Sequence, residues 1–120
     1  LLETRYKAEN RLSFIESNHP VTRQELYWAL INFNTAFILY IMALTKNEAV
    51  RKDISNFYTD YRHMKPRIRG KDLIRIGIKP GPAFTKIFNE VLNARLDGKL
   101  DTREKEAAFA REYARENGLI

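Results

Sequence analysis

The sequence predicts an all-α fold, a helical bundle of about six or seven short helices. Three observations carry this. Apolar residues recur at three- and four-residue spacing along most of the 120 residues. No run of five or more residues alternates as a half-buried strand does. Capping residues and glycine stops fall at the ends of the periodic segments.

The opening "LLETRYKAENRLSFIES" reads as helix interior from Leu1 onward. The chain is therefore expected to be an excised piece of a longer protein. Thr22 and Glu25 stand at capping-box spacing, so a helix is predicted to start near Thr22. Asn32–Asn34 breaks the pattern, and a further helix is entered near Asn34. The next starts near Asn47, with Val50, Ile54, Phe57, Tyr58 and Tyr61 on one face and Pro66 stopping or interrupting it. In "GPAFTKIFNEVLNARLDG", Phe84, Ile87, Phe88, Val91, Leu92 and Leu96 form one stripe that ends at Gly98. The last helix is capped by Asp101 or Thr102 and has Ala107, Ala110 and Ala114 as its small-residue face.

Leu26 to Thr45 holds 20 residues without a charge, about the length that spans a bilayer as a helix. Asn32, Asn34 and Thr35 divide it, so the reading is two short core helices and no membrane.

Composition bounds the function. With 44 % hydrophobic and 30 % charged residues the chain is expected to fold rather than stay disordered. The absence of Cys excludes disulfides, thiol catalysis and Cys-ligated zinc. It fits a reducing compartment, and a cytoplasmic location is expected. No Gly-rich phosphate loop, dinucleotide fingerprint or Asp-x-Asp pair is present. His19 precedes a proline, and His63 closes a helix where it complements the dipole. Glu104, Glu106, Glu112 and Glu116 read as a solvated face with Arg103, Lys105, Arg111 and Arg115. No catalytic residues and no metal site are expected in this chain.

The charge is not spread evenly. Net charge is +6, and "RHMKPRIRGKDLIRIGIKPGP", residues 62–82, carries all of it with seven cations against Asp72. Such a balance points to a polyanionic partner. Gly70 and Asp72 can open a short helix and Gly77 can end it. Pro82 then suits the first position of the next helix, with Gly81 near its N-cap. A helix N-terminus flanked by Lys71, Arg75 and Lys79 suits phosphate. The compactness is that of a helix-hairpin-helix module. Tyr58, Tyr61 and Phe84 flank the stretch but share the apolar stripes, and they are read as core.

Over residues 62–110 the sequence resembles the C-terminal region of class II tRNA nucleotidyltransferases, the CCA-adding, A-adding and poly(A) polymerase-type enzymes. The matching motifs are Gly70-Lys71-Asp72-Leu73, Gly77-x-x-Pro80-Gly81-Pro82, Leu96-Asp97-Gly98 and Glu106-Ala107. The resemblance extends more thinly into the helix pair around Leu26–Leu44. Lys105 stands where family members often have Glu, and "YWALINFNTAFILYIMAL" is more aromatic than the family pattern.

The resemblance implies a helical body or tail that holds tRNA while a catalytic head adds nucleotides to its 3′ end. It implies magnesium and ATP or CTP for the parent enzyme and none in this chain. The expected phosphate partners are Arg67, Arg69, Lys71, Arg75 and Lys79, with Gly81 as a backbone N–H donor. Arg62 and Lys65 are secondary. Residues 1–65 would form the helical core part and 66–120 the tail-like, RNA-contacting part. The expected partners are the tRNA phosphate backbone and the catalytic head. The alternatives are a structural or dimerisation domain that forms a homodimer through the aromatic segment, and a helix-hairpin-helix-like module.

Overall fold

The computed structural model describes residues 2–120, and Leu1 lies outside the described residues. Seven α-helices and a 3-10 turn make up the all-α fold, with no strand among the described residues: α1 (Leu2–Ser17), α2 (Arg23–Leu30), α3 (Thr35–Leu44), α4 (Glu48–Thr59), the turn Tyr61–His63, α5 (Gly70–Ile76), α6 (Pro82–Leu96) and α7 (Arg103–Glu116). The chain divides into two compact units, Leu1–His63 and Met64–Ile120.

In the Leu1–His63 unit the helix starts fall at the predicted caps. The Thr22 hydroxyl accepts from the Glu25 N–H, and the Glu25 carboxylate accepts from the Thr22 N–H. Asn34 Oδ1 caps α3 through the Phe37 N–H at 2.8 Å, and Asn47 Oδ1 caps α4. Each cap satisfies donors that have no partner inside the helix. The Arg51 guanidinium donates to the Met42 and Thr45 carbonyls, which closes the C-terminal end of α3. α1 packs on α3, and α4 packs on α2 and α3, around Ile15, Leu30, Ile41, Val50, Ile54 and Phe57, all fully buried. No single helix among the described residues is long and apolar enough to cross a membrane. α2 and α3 meet at a bend of 120°.

Two expectations need correction here. Pro66 does not end α4, which stops at Thr59. In a continuing helix the Tyr58 carbonyl would accept from the backbone N–H of residue 62. Instead it takes the Arg62 Nε–H, with the guanidinium lying 3.9 Å from the Tyr58 ring centroid. The chain tightens into the 3-10 turn before the proline is reached. Tyr61 consequently leaves the α4 stripe and lies half-buried beside Arg23.

The Met64–Ile120 unit is built on Leu73, Ile87, Val91, Ala110 and Ala114, with Ile68, Ile78 and Leu100 beside them. Glu106, expected on the solvated face of α7, is fully buried. Its Oε1 accepts from the Arg67 and Ile68 N–H groups at 2.6 and 3.3 Å, and its Oε2 from the Arg67 guanidinium at 3.0 Å. The reason lies in the register. Residues 106, 110 and 114 are spaced four apart, so Glu106 shares the stripe of the two buried alanines. The Arg103 side chain likewise pairs with Asp72 and not along its own helix.

Glu106→Ala would strand two backbone donors, each costing about 1–3 kcal/mol. Its expected destabilisation is about 2–5 kcal/mol. Glu106→Gln keeps an acceptor and should lose less, while the exposed Glu104→Gln should stay within about 0.5 kcal/mol. Urea unfolding of the three variants measures this. Equal midpoints for Glu106→Ala and Glu104→Gln would remove the structural role given to the buried carboxyl group.

Candidate nucleic-acid interface

Residues 67–79 are laid over the second core by apolar anchors at five-residue intervals. Ile68, Leu73 and Ile78 are 3 %, 0 % and 3 % exposed. Between and beside them Arg67, Arg69, Lys71, Arg75 and Lys79 are all exposed. The alternation is a consequence of burial. Each anchor removes apolar area from water, and the intervening ammonium and guanidinium groups stay hydrated because leaving water unpaired costs too much. The Arg95 guanidinium donates to the Lys65 carbonyl, which fastens the start of the segment to α6.

α5 forms between two terminal devices. The Arg69 N–H donates to Asp72 Oδ2 at 2.7 Å, which fixes the first turn. Gly77 ends the helix with φ 106°, and its N–H donates to the Ile74 carbonyl at 3.0 Å. Gly81, the N-cap of α6, has φ 155° and ψ −161°, a region that side-chain-bearing residues avoid. A Cβ there would meet nothing within 4 Å. Backbone conformation, and not crowding, therefore demands glycine at Gly81. Pro82 follows at the first helical position, where its missing N–H costs nothing.

The acids near the segment are used within the unit. Arg103 Nη2 lies 2.9 and 2.8 Å from the two Asp72 oxygens. The hydrogen bond from the Arg69 N–H, together with the Arg103 guanidinium, holds the Asp72 carboxyl below the usual carboxylate range. Lys105 does the same for Asp101. Of the cations singled out, Arg67 has Glu106 as its partner, at 38 % side-chain exposure. Among the described residues none of Arg69, Lys71, Arg75 and Lys79 is in an ion pair. These four and the exposed Gly81 backbone lie along one continuous segment, with Ile74, 56 % exposed, among them. Arg62 is separate. It is half-buried against Tyr58 in the Leu1–His63 unit. Phe84 is half-buried and meets Phe88 edge-on at 6.1 Å.

Sequence reasoning missed Glu106 and the Asp72–Arg103 pair. The first carried a signal in its four-residue spacing from Ala110 and Ala114. The second joins residues 31 apart and left no local signal.

No family model matches the sequence, and no solved structure is significantly similar. Three curated proteins are. An A-adding tRNA nucleotidyltransferase of Geobacter sulfurreducens is 38 % identical over 90 residues, 75 % of this chain and 10 % of the relative. A CC-adding tRNA nucleotidyltransferase of Synechocystis is 30 % identical over 116 residues, 88 % of this chain and 27 % of the relative. An A-adding tRNA nucleotidyltransferase of Halalkalibacterium halodurans is 27 % identical over 75 residues, covering 62 % and 18 %. The chain thus spans between a tenth and just over a quarter of the curated relatives it matches.

The depressed Asp72 carboxyl sets a pH dependence. Its contribution to stability is fully present above the unfolded-state value of about 3.9. It is lost as pH falls through the lower folded-state value. Side-chain NMR titration should place Asp72 below the usual aspartate range. Arg103→Gln should move it back up, and an unchanged titration would remove Arg103 from the cause.

Proposed function

The chain is homologous to a part of the A-adding and CC-adding tRNA nucleotidyltransferases, and we propose that within such an enzyme it binds tRNA along the phosphate backbone. The observation that carries this reading is the segment 67–79, whose four cations outside any ion pair are held outward by buried anchors. In this role the chain keeps tRNA in register while nucleotide addition takes place on a catalytic head elsewhere in the parent protein. The magnesium and the ATP or CTP of that reaction belong to the head. Among the described residues no three His, Asp or Glu side chains gather into a cluster fit to hold a cation.

The physics of such a contact is simple. Arg69, Lys71, Arg75 and Lys79 would replace condensed counterions on the RNA, and their release favours binding. Exposed cations held in no ion pair lose little on meeting phosphate. Arg67 would bind less freely, since its guanidinium already holds Glu106. A-form RNA offers its backbone and 2′-hydroxyls to such a surface, so shape is recognised and sequence is not. A second reading, self-association of the Leu1–His63 unit, is favoured by Leu2 and Leu39 at 85 % and 50 % exposure.

Binding of tRNA across a salt series tests the proposal. With about four to six phosphates neutralised, log K should fall against log salt with a slope of roughly −3 to −5. Changing Lys71, Arg75 and Lys79 to Glu should weaken binding and flatten the slope. No binding by either form at modest salt would overturn the reading, and a doubled mass in solution would then favour self-association. Duplex DNA bound as tightly as tRNA would replace it with a general nucleic-acid module. Nucleotide incorporation by this chain alone would overturn the assignment of catalysis to a separate head.

A further inference from the structure

The Leu1–His63 unit is nearly neutral, with eight Lys and Arg against seven acids, but its charges are sorted. Phe33, in the turn between α2 and α3, borders three cavities of about 390, 510 and 360 Å³. From α1, Lys7 lines the first two and Arg11 the second, and Arg62 and His63 line the third. Among the described residues no carboxylate lines any of them, and the nearest acid partner of a lining cation is Glu3, an exposed side chain 3.6 Å from Lys7 Nζ. The ring of Phe33 is fixed as a shared wall. It stacks on Phe37 at 4.2 Å and 16°, and the Arg11 guanidinium lies 5.4 Å from its centroid. Each of the two larger flanking spaces also has one exposed ring, Tyr40 at 36 % and Phe14 at 46 %.

Three amides complete the lining: Asn10 in one cavity, and Asn32 and Asn34 in the others. Cations, exposed rings and amides without carboxylates suit a ligand that alternates anionic groups with planar, hydrogen-bonding faces. An unpaired nucleotide strand has that alternation. A duplex hides its base faces, and a run of Asp and Glu residues has no ring to offer Tyr40 and Phe14.

We propose that this cleft binds an unpaired stretch of RNA, with bases packed on Phe14 and Tyr40 and phosphates met by Lys7, Arg11 and Arg62. Base–ring stacking is sequence-tolerant because every base has a π-face. The cleft would accordingly select single strands over duplexes without reading their sequence. The site uses no residue of the 65–81 segment, so it stands or falls separately from the surface proposed above.

The test uses the 120-residue chain carrying Glu at Lys71, Arg75 and Lys79, which removes the other surface from the readout. A fluorescent single-stranded oligoribonucleotide of roughly the length one groove accommodates, about ten nucleotides, is titrated by anisotropy. The same strand in a duplex and free AMP serve as competitors. The single strand should bind. Phe14→Ala and Tyr40→Ala, both at exposed helical positions, should each weaken it about tenfold. Lys7→Gln with Arg11→Gln should weaken it further and flatten its salt slope, with far-UV circular dichroism unchanged throughout. Absence of binding in this background, ring variants that bind as the parent does, or a duplex that competes equally would each overturn the proposal. AMP competing as well as the strand would overturn it in favour of a mononucleotide site.

Discussion

A carboxyl group with no exposed surface must be satisfied from within the protein, and Glu106 is satisfied by the backbone just ahead of α5. Its two oxygens take the Arg67 N–H, the Ile68 N–H and the Arg67 guanidinium. Burial makes these bonds obligatory, because an unmet donor or charge at that depth costs more than the bonds return. α7 therefore determines where the chain from Arg67 must run. With Ile68 held there, Leu73 and Ile78 reach the same core, and the cations between and beside them face solvent. Asp72 and Arg103 tie α5 to α7 a second time, with the signs exchanged. One acid of α7 meets a cation of the segment, and one cation of α7 meets the acid of the segment.

That exchange is neutral in charge. α7 consumes one positive and one negative group of the basic segment, and the excess of cations on residues 69–79 survives folding. Had Glu106 been solvated beside Lys105, it would have left two backbone donors without partners and one more mobile anion on the surface. Its burial does structural work without screening Lys71, Arg75 or Lys79. The Gly77 and Gly81 conformations belong to the same arrangement. They turn the chain between α5 and α6 so that Ile78 can point inward and Lys79 outward within two residues.

Much of this was legible in the residues, because helix boundaries are local. Thr22, Asn34, Asn47, Thr102 and Gly81 act within three or four positions of themselves, and each stands at a helix start in the structure. The all-α fold follows from the same locality. Pro66 misled because a stop signal was weighed without Arg62, whose side chain ends α4 by taking a carbonyl. Glu106 misled because charge was weighed above register. The cleft around Phe33 was not legible at all. It gathers residues from α1, from the α2–α3 turn and from the turn after α4, which only tertiary packing brings together.

The two units present cations in different chemical company, and that difference carries meaning beyond their net charge. On residues 69–79 the side chains beside the cations are aliphatic, and the aromatic neighbour Phe84 is half-buried against Phe88. Such a surface has no exposed aromatic ring on which a base can stack, so it is suited to phosphates presented in a regular array. Around Phe33 the cations stand among exposed rings and amides, and the exposed rings offer bases a partner that a regular duplex withholds. A structured RNA with both helical and unpaired parts offers both kinds of face. One chain that binds it by shape needs both kinds of surface and gains nothing from base-specific readout at either. Under the proposed role, that property lets one element accept many tRNAs alike.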